Sequence, residues 1–205
     1  PGKVMRIVLA SASPRRRALL SALGLDIEIT PSNAPEIDEG AEPATIVIEN
    51  AKRKRDDVVS RLESPALVVA ADTLVFLDGH VLSKPRDLDE ARAMLRRLSG
   101  RTHEVITGLA IADMQRGTRI EGHELTRVTF GNLSDVEIDH FVHAVKPLDR
   151  AGAYTVDGPG SLLVARYDGC YQNVLGLPIV CLQKLLLKLG HDLFELMDAP
   201  RAKFL

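Results

Sequence analysis

VMRIVLASASPRRRALLSALG, residues 4–24, decides how the rest of the chain is read. Val4–Ala10 is a short apolar run bounded by small residues, the pattern of a buried strand. Ser13 can cap a helix with its side chain, and Pro14 takes the first helical position, where its missing N–H costs nothing. The helical run stops at Gly24, a natural left-handed residue beyond a helix end. A strand therefore ends, the chain turns over small residues, and a helix N-terminus points past the sheet edge. Free backbone N–H groups and the positive end of the helix dipole collect there beside Ser11, Ser13, Arg15 and Arg16. That is an anion site, and phosphate is its natural occupant.

Composition narrows the function further. A chain of 205 residues can bury a sizeable core, as one large domain or two small lobes. The formal charge of −2 lacks the basic excess of a general nucleic-acid binder. Only 4% of residues are aromatic and Trp is absent, so a base-stacking platform for single strands is not expected either. No apolar run reaches membrane-spanning length, and nothing resembles a signal peptide. Cys170 and Cys181 lack metal or redox spacing and read as free thiols of a reducing, cytoplasmic setting. Residues 1–4 read as a scar ahead of a natural start at Met5.

Beyond Gly24, Asp26–Thr30 alternates as a half-buried strand does. Pro31–Gly40 is a loop carrying Glu36, Asp38 and Glu39, either solvated surface or carboxylates for a hard cation. Pro43 opens a helix to about Leu62 with a basic patch at Lys52–Arg55, most of it expected in solvent with one cation able to face a cleft. Ala66–Ala71 is an apolar run buried on both faces, interrupted by Asp72 and Thr73. A carboxylate at the end of such a strand needs compensation: a turn to cap, an arginine, a metal, or a catalytic role as a base. Asp78–Gly79 marks a hairpin, and Asp87 with Glu90 resembles a capping box for a helix over Leu88–Leu98. His103–Ala112 and Arg119–Phe130 form a long strand pair turning near Gly117. Ser134 and Glu137 box the start of another helix, on which His140 and His143 are too few for a zinc site. Pro147–Gly160 is loop, Leu162–Arg166 a short strand, and Pro178–Gly190 a leucine-rich core helix followed by a surface tail from about residue 191. With no repeat or linker, residues 1–205 read as a single α/β domain.

Seven stretches now stand in order along the chain. They are Ser11–Arg16 (SASPRR), Ala71–Thr73 (ADT), Ser83–Pro85 (SKP), Leu98–Gly100 (LSG), His103–Gly108 (HEVITG), Ala151–Tyr154 (AGAY) and Asn173–Pro178 (NVLGLP). Together they closely resemble the Maf family. The resemblance implies an inosine-triphosphatase-like fold: a long mixed β-sheet flanked by helices, in two lobes around a central cleft. It also implies a nucleoside triphosphate pyrophosphatase, converting NTP and water to NMP and pyrophosphate with Mg²⁺ or Mn²⁺, and a homodimer.

Residue by residue, the resemblance makes Asp72 the acid that takes a proton from the attacking water and Glu39 a metal ligand with it. Arg15, Arg16, Lys54 and Lys84 match basic positions, with Lys52 and Arg53 close alternatives to Lys54. Ser11 would hold a phosphate oxygen. The chemistry suits these residue types, because one cation 4 Å from one phosphate charge is worth about 4 kcal/mol at an effective dielectric near 20. Arg15 and Thr73 resemble the subgroup acting on dTTP and UTP. That subgroup has Gln where this chain has Asp157, and an ionised carboxylate accepts hydrogen bonds but cannot donate them. Asp157 would also suit a guanine edge, as in the 7-methyl-GTP subgroup. Two markers of three point to pyrimidines. Lys146 replaces the usual acid before Pro147. The alternative of another class is a nucleotide-binding regulator of cell division, separable from the enzyme by binding without turnover.

Overall fold

The computed structural model describes residues 5–204, so the reading of residues 1–4 as a scar lies outside the described residues. Among the described residues, β1 (Ile7–Leu9) leads through α1 (Pro14–Ala22) to β2 (Ile27–Ile29), and α2 (Pro43–Arg61) follows. Next come β3 (Leu67–Leu77), β4 (His80–Leu82), α3 (Leu88–Leu98), β5 (Thr102–Asp113) and β6 (Thr118–Phe130). The chain continues with α4 (Asp135–Val145), β7 (Val164–Asp168), α5 (Tyr171–Val174), α6 (Ile179–Lys188) and α7 (Leu193–Leu196). The sheet runs β2-β1-β3-β5-β6-β7, with β4 paired to β3. It is mixed: β1 lies parallel to β2 and β3, whereas β3–β4 and β6–β7 are antiparallel. This is the mixed α/β architecture expected.

Two compact units divide the chain. The first holds the chain up to Asp72, Thr107–Glu124, and everything from Gly176 onward. Apolar side chains are buried on both faces of its strands. Leu9, Val69, Leu109 and Leu182 belong to one cluster, and Val8, Val68, Ala70 and Val58 to another, as alternation along a strand requires. Here α2 approaches β5 so closely that a Cβ on Gly108 would stand 2.3 Å from the Val47 carbonyl. Only glycine fits there.

The second unit holds Thr73–Ile106 and Leu125–Leu175 around a core that includes Leu95, Leu98, Phe130, Ile138 and Tyr154. In it α3 packs on α4. Ser134 and Glu137 make the full capping box at the start of α4. Asp87 makes half of one: its carboxylate accepts from Glu90 N at 2.8 Å, while Glu90 accepts from Arg86 N. Lys146 ends α4 with a left-handed backbone.

Four expectations change. The strand does not stop at Ala71; β3 continues through Asp72 to Leu77, because apolar residues resume at Leu74 and partners meet the Asp72 charge. The basic patch on α2 is less solvated than expected: besides Lys54, whose side chain is 12% exposed, Arg55 is buried between Asp56 and Glu121. The segment from residue 191 is not a surface tail at its start. His191 is buried against Asp113 at 2.8 Å, Leu193 joins the core, and Lys203 N donates to Ala22 O. The short strand expected over Leu162–Arg166 lies two residues later, at Val164–Asp168, because Leu162 closes a 3₁₀ turn over Gly158–Leu162.

Candidate active site

In the first unit, the turn after β1 folds as its sequence dictates. The Ser13 hydroxyl accepts from Arg16 N at 3.4 Å, and the Ser11 hydroxyl accepts from Ser13 N at 3.1 Å. Two small hydroxyl residues thus shape the N-terminus of α1, and Pro14 occupies its first turn. Arg16 folds back over this turn, donating from Nη1 to Ser11 Oγ at 3.3 Å and from Nε to Gly176 O at 2.7 Å. Burial pushes the Arg16 guanidinium below its usual pKa, Asp72 opposes that shift, Arg15 adds to it and Glu36 opposes it. Those four charges feel one another. An arginine remains a cation throughout the physiological range.

Asp72 is 4% exposed. Its Oδ2 accepts from Asn50 Nδ2 at 2.9 Å and its Oδ1 from Lys54 Nζ at 3.0 Å. Lys54 also pairs with Glu36 at 2.7 Å, and Asn50 donates to Ile37 O and accepts from Ile37 N. One face of α2 therefore ties the acidic loop to the buried aspartate, because Asn50 and Lys54 stand one helical turn apart. Lys52 and Arg53 instead pair with Glu49 at half-exposed positions, so Lys54 is the cation of the patch that reaches Asp72. Asn50 escaped the sequence reading as a site residue, and its only signal was the four-residue spacing to Lys54. Glu36 entered that reading only as one of three acidic-loop carboxylates, with no sign that it would pair with Lys54.

Glu39 is exposed on that loop. Among the described residues no group of three or more His, Cys, Asp or Glu side chains converges as a metal cage. Asp72, Glu36 and Glu39 are all hard oxygen donors. Mg²⁺ commonly takes one or two carboxylates and completes its shell with water and substrate phosphate, so this donor set fits a cation that arrives with a phosphorylated ligand.

Thr73, Lys84 and Asp157 belong to the second unit. Thr73 follows Asp72 on β3 and is half-buried. Lys84 is exposed between β4 and α3, where Ser83 O accepts from Gly152 N at 3.2 Å, so the AGAY stretch anchors the SKP stretch. Tyr154 of that stretch is packed at right angles to His103 and Phe130, with ring centroids 5.4 and 4.9 Å away. The His103–Tyr154 hydrogen bond, 2.6 Å, is buried. Asp157 is exposed, and its Oδ1 accepts from the Thr155 hydroxyl.

Fold and site together define an α/β protein with an arginine-bearing helix N-terminus, electrostatically coupled to a buried, lysine-paired aspartate. The chain belongs to the Maf family: the family's sequence pattern, described as Maf-like protein, matches residues 6–189. A dTTP/UTP pyrophosphatase of Caldicellulosiruptor bescii is 44% identical over 194 residues, covering 93% of this chain and 98% of that protein. A dTTP/UTP pyrophosphatase of Pyrococcus furiosus is also 44% identical, over 92% of this chain and 97% of its own length. The crystal structure of a nucleoside-triphosphatase / dITP/XTP pyrophosphatase from Mycobacterium abscessus aligns at 20% identity with a TM-score of 0.39, over 62% of this chain and 74% of that one.

Proposed function

We propose that this chain is a nucleoside triphosphate pyrophosphatase acting on dTTP and UTP, clearing nucleotides before polymerases incorporate them. Membership of the Maf family and the names of its relatives support the activity. The observation that carries the chemistry is the buried Asp72 carboxylate held by Lys54 and Asn50 and electrostatically coupled to Arg16. Arg15, Arg16, Ser11 and the first turn of α1 bind the phosphate chain, where fixed cations and N–H groups offset charge that grows in the transition state. Asp72 takes a proton from a water that attacks the α-phosphorus. The bond from that phosphorus to the bridging oxygen breaks; the water oxygen stays on the monophosphate and pyrophosphate leaves. Lys54 and Asn50 hold the carboxylate in the orientation this transfer needs. Mg²⁺ or Mn²⁺, held by Asp72 and Glu39, would neutralise phosphate charge when bound. On the family resemblance, Lys84 is assigned as a further phosphate-binding cation, and Thr73 and Asp157 are assigned to recognition of the base.

A homodimer and a cytoplasmic location, with no nucleic-acid partner, complete this reading. Among the described residues no helix is long and apolar enough to cross a membrane. Incubating the protein with a panel of nucleoside triphosphates and Mg²⁺ or Mn²⁺ tests the proposal. Pyrophosphate and monophosphate from dTTP and UTP are expected. Orthophosphate alone would make it a phosphatase, and affinity without turnover would favour the regulator of cell division.

A further inference from the structure

Asp157 stands where an amide would read both a ring N–H and a neighbouring carbonyl, and its surroundings in the second unit decide what a carboxylate can read instead. Its Oδ1 is turned inward: it accepts from the Thr155 hydroxyl, and Arg150 Nη1 lies 3.9 Å away. That Arg150 nitrogen is buried and makes no hydrogen bond among the described residues. Oδ2 has no partner among them, and the Asp157 side chain is 59% exposed. The segment carrying these groups is tightly held. Gly160 N donates to Asp157 O at 3.0 Å, and Tyr171 Oη donates to Val156 O at 3.3 Å. A Cβ on Gly160 would stand 1.8 Å from Thr155 O, so only glycine lets this turn close.

We infer that Thr155 and Arg150 are positioning residues that leave Asp157 one outward acceptor, so that it reads a lone ring N–H and selects uracil or thymine over guanine. The inference rests on the reading of Asp157 as facing the base. Guanine presents two adjacent N–H donors, which need both carboxylate oxygens; here one is already engaged. Uracil and thymine present one N–H flanked by two carbonyls. A bare carboxylate set against that edge would place its second oxygen against a carbonyl oxygen. Turning Oδ1 toward a hydroxyl donor and a guanidinium removes that repulsion. Both residues act through Asp157, and neither need touch the nucleotide.

The test compares binding of non-hydrolysable α,β-imido analogues of UTP and GTP by calorimetry. The wild-type chain should prefer the UTP analogue by about tenfold or more, roughly one discriminating hydrogen bond. Thr155→Val frees Oδ1 and should shift that ratio at least about fivefold toward the GTP analogue, while Thr155→Ser keeps the wild-type ratio. If Thr155→Val fails to fold, Arg150→Gln gives the same readout. A wild-type preference for the GTP analogue, or a ratio unmoved in Thr155→Val or Arg150→Gln, overturns the inference even if pyrophosphate release from UTP is intact. A shifted ratio in a protein that releases no pyrophosphate upholds it and sinks the hydrolase reading.

Discussion

Lys54 Nζ lies 3.0 Å from Asp72 Oδ1, with the two side chains 12% and 5% exposed. A buried carboxylate is tolerable only with such compensation, and Asn50 supplies the second hydrogen bond. Lys54→Met should therefore cost about 3 kcal/mol or more in urea unfolding, as removal of one member of a buried pair does. Adding Asp72→Asn to it should restore much of that loss, because the uncompensated charge is gone. By itself Asp72→Asn should lower pyrophosphate release by about 10²–10⁴-fold while nucleotide affinity changes little. Near-normal turnover in that variant would remove Asp72 from the role of base.

Arg16 bonds both to nearby Ser11 and to Gly176, which lies 160 residues further along the chain. Arg16→Ala should reduce kcat/KM for UTP by about 10–100-fold, the scale of a charged hydrogen bond. Arg16→Lys should recover only part, since an ammonium lacks the planar fork that serves Ser11 Oγ and Gly176 O at once. Steady-state kinetics at fixed ionic strength decides this, and equal recovery by lysine would mean that charge alone matters.

Burial drives the His103 imidazole down to about 4, from an ordinary value of 6.5. The folded chain keeps this histidine neutral, whereas the unfolded chain protonates it as pH falls below about 6.5. Its contribution to stability is thus complete above pH 6.5 and is lost as pH falls toward 4. Between pH 7 and pH 5 the loss should be about 2 kcal/mol. Urea unfolding at the two pH values checks it: His103→Phe should lose about 2 kcal/mol less than wild type over that interval.

Leu193 is buried beyond the last long helix, with its backbone N–H donating to Gln183 Oε1 at 2.8 Å. Leu193→Ala should destabilise the protein by about 2–4 kcal/mol, through lost burial and the cavity left behind. A change below about 0.5 kcal/mol, the scale of a surface substitution, would show that this segment contributes little.

Local chemistry made much of the fold readable. The Ser13 cap, Pro14, the Asp78–Gly79 hairpin and the Ser134–Glu137 box all act within a few residues, and the chain carries them out as written. Periodicity failed at Asp72, where a polar residue looked like a strand end. Its partners come from α2, about twenty positions earlier, and no window of neighbouring sequence contains them. The same limit hid Arg55, whose partner Glu121 lies 66 residues away. It also hid the burial of His191, which depends on Asp113.

What the sequence by itself determined is the order of elements and the anion-accepting start of α1, because backbone sterics, capping and alternation depend on adjacent residues. Its motifs also carried the resemblance to the Maf family. Which cation of Lys52–Arg55 meets Asp72, and that His191 is buried against Asp113, was decided only when distant segments came together. Desolvation and hydrogen bonding are properties of the assembled surroundings, and a residue's neighbours in space are not its neighbours in the chain.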